Sequence, residues 1–157
     1  MKLGRFGAVL AIAALYSLPV PAERLPDGGI TAHGVADVLL RKGFTAEVRT
    51  DNQGDPIVNS AASGAKFTVF FFGCNHTPRC ESIQFFAGYQ RKGVSLEAIN
   101  KWNRENRYAR AYLSKDGRHP DVEMDLYVDK GFTTELLEGY LDLWTLIMGD
   151  FQSHIGW

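Results

Sequence analysis

The chain has 157 residues, of which 45% are hydrophobic and 22% are charged, and its formal net charge is -1. This balance excludes a disordered tail and a multi-pass membrane protein, and the length suits one domain rather than a two-domain enzyme. Because there is no global basic excess, the composition also argues against a nucleic-acid-binding protein.

The first 22 residues have the three parts of a secretory signal peptide. Lys2 and Arg5 form a basic start, residues 6–18 are apolar, and Val20-Pro21-Ala22 provides a cleavage site. The apolar run is shorter than a membrane span requires. We therefore predict cleavage after Ala22 and a mature chain that is periplasmic or secreted, with no stable membrane span after cleavage.

A short leader and the first elements of the domain are predicted next. Residues 23–30 are polar and rich in turn formers, so we expect a leader there and a single domain over residues 31–157. A helix is predicted over residues 31–42, with Gly43 as its stop. Residues 44–50 alternate weakly between apolar and polar side chains and, with Ile57-Val58, predict a hairpin that turns at residues 51–56.

Two strongly apolar strands are predicted at residues 65–74 and 80–89, which are rich in aromatic and β-branched residues. Residues 67–72 barely alternate, so both faces of the first strand are expected to be covered. If Cys74 faces Cys80 across this hairpin, the register follows. It pairs Phe72 with Ser82, Phe70 with Gln84 and Val69 with Phe85.

A second helix is predicted to begin after Ser95, which is its N-cap, and to bury Leu96, Ile99 and Trp102. A hairpin follows, in which Asp116-Gly117 predicts a two-residue type I′ turn. The resulting register places Arg110 opposite Glu123, Tyr112 opposite Asp121 and Tyr108 opposite Asp125. One face of this hairpin is expected to be apolar, and the other a solvated surface of charges and tyrosines.

The last helix carries the longest amphipathic stripe of the chain. Thr133 is its predicted N-cap, and apolar residues recur at steps of three and four from Leu137 to Phe151, so a sheet or a partner must cover them. The order of helices and strands predicts an α+β fold with an antiparallel sheet, an N-terminal helix, an inserted helix and a long C-terminal helix.

The two cysteines of the chain, Cys74 and Cys80, are predicted to form a structural disulfide in an exported protein. Their spacing does not match the Cys-X-X-Cys motif of redox catalysts. A metal site that combines Cys74 and Cys80 with His76 is the alternative, but the spacing matches no common zinc pattern. We therefore predict no metal site and no cofactor.

A basic, aromatic segment joins the second helix to the following hairpin and is our candidate binding surface. Its members are Trp102, Asn103, Arg107, Tyr108, Arg110, Tyr112 and Glu123. The carboxylates of Asp121, Glu123 and Asp125 point the same way and resemble a cation or acid–base site. Because Arg110 faces Glu123, exposed cross-strand ion pairs are the favoured interpretation, and no catalytic residues are assigned.

Several segments resemble the YbjN domain family of bacterial proteins, often labelled sensory-transduction regulators. The specific part is LEAINKWNRENRYARAYLSKDG followed by VEMDLYVDKGFTTELLEGYLDLW, and GFTAEVRTDNQGDPIV, FFFGC and CESIQFFAGY extend the likeness to about residues 30–155. The resemblance implies a fold similar to type III secretion chaperones, whose members often dimerise and bind polypeptides. It supplies no catalytic residues.

The sequence favours an exported, non-enzymatic module that binds a protein. One alternative is a small-ligand-binding protein or enzyme, with a pocket between sheet and helix formed by Arg107, Arg110, Tyr112 and Glu123. Another is a structural homo-oligomer of the cell envelope, such as a homodimer in which the last helix pairs with its copy. No nucleic-acid partner is expected.

Overall fold

The computed structural model describes residues 29–74 and 78–157. The predicted signal peptide, nearly all of the predicted leader, and His76 lie outside the described residues. The elements, in chain order, are β1 (Ile30–Thr31), α1 (Ala32–Arg41), β2 (Glu47–Thr50), β3 (Pro56–Ala62), β4 (Ala65–Phe72), β5 (Arg79–Cys80), β6 (Ser82–Gly88), α2 (Leu96–Glu105), β7 (Arg110–Leu113), β8 (Pro120–Tyr127) and α3 (Thr134–Ile155).

The predicted α+β class is confirmed. Within the described residues, six strands form an antiparallel main sheet in the order β2-β3-β4-β6-β8-β7, and β1 pairs separately with β5. Ile30, at the end of the predicted leader, is buried and pairs with Cys80. That residue is therefore part of the folded structure.

The predicted registers of both hairpins are confirmed. Phe72 pairs with Ser82, Phe70 with Gln84 and Val69 with Phe85. Arg110 pairs with Glu123 and Tyr112 with Asp121, while Tyr108 precedes the paired residues of β7.

The predicted type I′ turn is wrong, although the register on either side of it is correct. A type I′ turn needs a positive φ at both central residues. In the structure Gly117 has a φ of 70°, whereas Asp116 does not have a positive φ. The Gly117 N–H instead donates to the Ser114 carbonyl at 2.7 Å, which forms a wider turn between the same strands.

The predicted N-caps of α2 and α3, Ser95 and Thr133, are confirmed, and Thr31 is the N-cap of α1. The side chains of Thr31, Ser95 and Thr133 each accept a hydrogen bond from a backbone N–H in the first turn of α1, α2 and α3. These bonds satisfy donors that have no partner inside a helix. Gly43, with a φ of 82°, follows α1 in the left-handed conformation that favours glycine.

The core lies between the main sheet and the apolar stripe of α3. Trp144 is fully buried, and its ring lies 6.2 Å from that of Phe67 and 5.6 Å from that of Phe85. On α1, Val35, Val38 and Leu39 are also buried and pack in the same core. The long stripe of α3 is therefore covered by the sheet of the same chain.

Two expectations about burial are wrong. Residues of β4 alternate between buried and partly or fully exposed, so the helices cover one face of this central strand and leave the other accessible. The run of aromatic residues hid this alternation, because Phe70 and Phe72 are apolar yet lie on the accessible face. Leu96, in the first turn of α2, is 65% exposed rather than buried.

The predicted disulfide joins Cys74 to Cys80, whose Cα atoms lie 4.0 Å apart. Cys80 is fully buried and pairs with Ile30, so the bridge ties β5 and the start of the fold to the end of β4. Within residues 29–74 and 78–157, no helix combines the length and apolar character needed to cross a bilayer.

Reduction of the disulfide is expected to lower the free energy of unfolding by about 2–3 kcal/mol, because a short cross-link restricts the unfolded chain. Urea unfolding of the wild-type protein with and without a thiol reductant measures this difference. A Cys74→Ser/Cys80→Ala variant is the control and should not respond to reductant. Equal unfolding midpoints for the oxidised and reduced wild-type protein would contradict the prediction.

Candidate binding surface

The main sheet has one face covered by helices and one face, here called the open face, that no described helix covers. Side chains alternate between the two along each strand. On β4, Phe67 and Phe71 are buried on the helix side, whereas Phe70 and Phe72 lie on the open face. The open face is therefore accessible at several of its side chains.

Aromatic side chains occupy much of the open face. Phe70 and Phe86 are half-buried and meet edge to face, with ring centroids 5.9 Å apart. Towards one end, Phe72 is 48% exposed and Tyr127 is 70% exposed, and both lie in register with Ser82. Aromatic residues are enriched at protein–protein interaction surfaces.

Glu123 lies at the centre of a polar cluster on the same face. Its carboxylate forms an ion pair through Oε1 with the Arg110 guanidinium and accepts a hydrogen bond through Oε2 from the Tyr112 hydroxyl at 2.8 Å. The residue is 5% exposed, whereas the Arg110 side chain is 65% exposed. Both carboxylate oxygens are thus already committed to neighbouring side chains.

This environment keeps Tyr112 a hydrogen-bond donor at physiological pH. Burial raises the pKa of the Tyr112 hydroxyl, and the Glu123 carboxylate that accepts its hydrogen bond raises that pKa further. The hydrogen bond and charge of Glu123 likewise raise the pKa of Arg110. The three groups form a neutralised network rather than a set poised for proton transfer.

Two further carboxylates border this network. Asp125 lies 3.6 Å from Arg110 and accepts a hydrogen bond from the Gln84 amide at 2.8 Å. Burial, followed by the negative charge of Glu123, raises the pKa of Asp121. Among the described residues, no cluster of histidine, cysteine and carboxylate side chains has the arrangement of a metal site.

The prediction of a fully solvated charged face is therefore wrong at Glu123. Phe86 lies beside Glu123 in the neighbouring strand, and Tyr112 covers it from the other side of β8. Cross-strand neighbours of this size exclude water from the carboxylate. The alternation of apolar and polar residues along β8 placed Glu123 on the correct face of the sheet. Its burial was not predicted, because that depends on the side chains of the neighbouring strands.

Trp102 was predicted as a surface contact and is instead part of the core. It is 2% exposed, and its ring contacts those of Phe151, at 4.9 Å, and His154, at 5.5 Å. The periodicity of α2 had also placed Trp102 on the buried side, and that interpretation is the correct one.

Asn103 closes one edge of the main sheet. Its side-chain oxygen accepts from the Ala111 N–H at 2.8 Å, and its side-chain amide donates to the Ala111 carbonyl at 2.9 Å. Ala111 lies on β7, the outermost strand, so Asn103 takes the place of a neighbouring strand at this residue. Its side-chain amide therefore has a structural role at this sheet edge.

Arg107 and Tyr108 are exposed and lie beside the Glu123 network. The Arg107 guanidinium lies 5.3 Å from the centre of the Tyr108 ring. A groove of about 340 Å³ runs from this pair to Arg110 and Glu123, and Asn103, Asn106, Ala109 and Asp125 complete its lining. The structure thus brings most of the predicted surface together, but at the edge of the open face.

The aromatic part of the open face was not predicted from the sequence. Phe70, Phe72, Phe86 and Tyr127 were assigned to strands but not to a surface. The available signal was the register, which places Phe72, Ser82 and Tyr127 side by side. Knowing which face the helices cover is also necessary, and that follows from tertiary packing.

Comparison with protein families identifies the chain. A model of the YbjN family, described as "Putative bacterial sensory transduction regulator", matches residues 31–157. The chain belongs to the YbjN family. Searches of curated proteins and of solved structures return no match to it. The expected similarity of this YbjN protein to type III secretion chaperones therefore stays a prediction.

Asn103→Ala is expected to destabilise this YbjN protein by about 1–3 kcal/mol, because it leaves the backbone groups of Ala111 without their partners. Hydrogen exchange of the Ala111 amide should become faster, as measured by NMR. Asn100→Ala, at an exposed position one turn earlier in α2, is the matched control. Unchanged Ala111 exchange in the Asn103 variant would contradict the proposed edge closure.

Asp121→Asn is expected to stabilise the protein at neutral pH. Since the folded-state pKa of Asp121 is raised, ionisation disfavours the folded state, and the wild-type protein loses stability as pH rises from the unfolded pKa of about 3.9 to the folded pKa. The advantage of the variant should grow over that interval and then stay constant. Chemical unfolding of both proteins across about pH 3 to 8 measures the difference in the free energy of unfolding.

Equal free energies of unfolding for the two proteins at every pH would contradict this interpretation of Asp121. A variant less stable than wild type at neutral pH would contradict it as well, since that result would mean that the charge of Asp121 stabilises the fold.

Proposed function

We propose that this YbjN protein is an exported, non-enzymatic regulatory module that binds a protein partner through the open face. The observation that carries the proposal is the row of exposed aromatic rings, Phe72 and Tyr127, beside the half-buried pair Phe70 and Phe86. Aromatic groups supply large apolar contact area at little cost in conformational entropy, and they are enriched where proteins bind one another.

The charges of this face favour recognition over catalysis. Arg110, Tyr112 and Glu123 satisfy one another, and the pKa values of Tyr112 and Arg110 move away from neutrality. General acid–base catalysis works best with groups that titrate near the operating pH. A fixed, neutralised network instead suits the rim of a protein interface.

Export is supported by the disulfide. A bridge between Cys74 and Cys80 is compatible with an oxidising compartment such as the bacterial periplasm. The N-terminal sequence predicts the same destination. A regulatory role agrees with the description of the family as a sensory transduction regulator.

Binding of a small ligand is the second candidate function, and the groove of about 340 Å³ beside Arg107 and Tyr108 favours it. The exposed Arg107 guanidinium would face an anionic ligand there. Arg110 and Glu123 are less suitable contacts, because each already neutralises the other.

A capture experiment with matched variants tests the protein-binding proposal. Tagged protein is incubated with native envelope extract, and bound polypeptides are identified by mass spectrometry. Phe72→Ser/Tyr127→Ser removes the exposed rings of the open face. Leu136→Ser/Leu146→Ser removes two exposed apolar side chains from α3 and is the control, because those residues are 49% and 65% exposed on another surface.

The proposal predicts a stoichiometric partner that is lost with the open-face variant and kept with the α3 variant. Loss with the α3 variant alone would contradict it. If no polypeptide binds and a small molecule co-purifies until Arg107 is replaced by Ala, the ligand-binding function is supported instead. Far-ultraviolet circular dichroism checks that each variant is folded.

A further inference from the structure

The two edges of the main sheet differ in how their backbone groups are satisfied. At the β7 edge, the side chain of Asn103 bonds both backbone groups of Ala111. At the other edge, β2 is the outermost strand. Among the described residues, no hydrogen bond from outside the sheet reaches the backbone of Val48 or Thr50.

The hydrogen-bond pattern shows which residues of β2 point their backbone groups outward. The Asp51 N–H donates to the Asp55 carbonyl at 2.9 Å, so the backbone of Asp51 points inward to the strand that follows it. Bonded pairs recur at every second residue of an antiparallel ladder. Arg49 and Glu47 therefore bond inward to β3, whereas the N–H and C=O groups of Val48 and Thr50 point away from the sheet.

We propose that a second copy of this chain pairs with β2 across a two-fold axis that passes between the two Val48 residues. Such an interface is isologous, so each contact occurs twice. Val48 of each copy exchanges two backbone hydrogen bonds with Val48 of the other. Thr50 does the same with Ala46 of the other copy, which extends the main sheet across the dimer.

Charge complementarity selects this arrangement. Within each chain, Arg49 forms an ion pair with Glu47. With the axis at Val48, this pair meets the same pair of the second copy in reversed order, so Glu47 lies directly opposite Arg49 in the non-hydrogen-bonded type of pair where side chains come closest. The neighbouring register, with the axis at Arg49, places Arg49 against Arg49 and Glu47 against Asp51. Those like-charge pairs are unfavourable, so β2 is complementary to itself in the first register.

Both sides of β2 have room for a second strand with its side chains. On the helix side, a groove of about 480 Å³ is lined in part by His33, Val48 and Pro56. Beside the start of β2, a second groove of about 450 Å³ is lined in part by Glu47, Asn59 and Ser60. Because β2 has four residues, we expect a weak, concentration-dependent dimer.

Charge reversal tests the proposal through the oligomeric state. Glu47→Arg and Arg49→Glu each place like charges opposite one another, so each variant should dissociate with a constant roughly tenfold or more above that of the wild type. An equimolar mixture of the two variants should form a heterodimer, because a chain with two arginines then faces a chain with two glutamates. The double variant should dimerise as well.

Sedimentation velocity over a range of protein concentrations measures homodimers, and native mass spectrometry distinguishes the heterodimer by its mass. A wild-type protein that stays monomeric at the highest concentration overturns the proposal. So do single variants that dimerise as strongly as the wild type, or a mixture that stays monomeric.

Thr50→Pro is a second, independent test that does not rely on charge. The Thr50 N–H points away from β3, so proline there spares the β2–β3 ladder but removes two hydrogen bonds of the dimer. This variant should be monomeric, and dimerisation as strong as that of the wild type would overturn the proposal even if a charge variant failed to fold. The open-face variant Phe72→Ser/Tyr127→Ser should dimerise normally, which separates this interface from the proposed function.

Discussion

The packing of Trp144 against Phe67 and Phe85 is the contact on which the rest of the structure depends. It places α3 on one face of the main sheet, and burial of so large an aromatic side chain contributes strongly to stability. Because the long apolar stripe of α3 is buried against the sheet of its own chain, it is not exposed to a partner. The face opposite α3 is consequently the accessible one, and its aromatic side chains are available for binding.

Because the helices cover only one face of the sheet, the polar side chains of the other face pair with one another. Arg110, Tyr112 and Glu123 lie on the open face, so they must satisfy one another rather than join the core. The cluster therefore stabilises the edge hairpin β7–β8 and leaves no charge of Glu123 unpaired. The two edges of the main sheet differ. At β7, the side chain of Asn103 on α2 bonds the outward backbone groups of Ala111, whereas no described residue does the same at β2.

Local features of this fold were predictable from sequence, because they depend on neighbours in the chain. Ser95 and Thr133 are N-caps by the chemistry of their side chains, and the pairing of Arg110 with Glu123 follows from the position of the intervening turn. The burial of Glu123 and the exposure of Phe72 were not predictable, because both depend on which face α3 covers. Most of the predicted surface residues therefore lie together in the structure, but Trp102 lies in the core, and the exposed aromatic residues of the open face were not predicted.

Hydroxyl-radical footprinting read out by mass spectrometry tests the two-sided sheet most directly. The account predicts rapid oxidation of Phe72 and Tyr127, which are 48% and 70% exposed, and slow oxidation of Phe71 and Trp144, which are 3% and 0% exposed. Phe71 and Phe72 are adjacent phenylalanines of one strand, so a difference in their oxidation reports on the opposite faces on which they lie. Equal protection of Phe72 and Phe71 in the free protein would contradict the account, because the open face would then be covered.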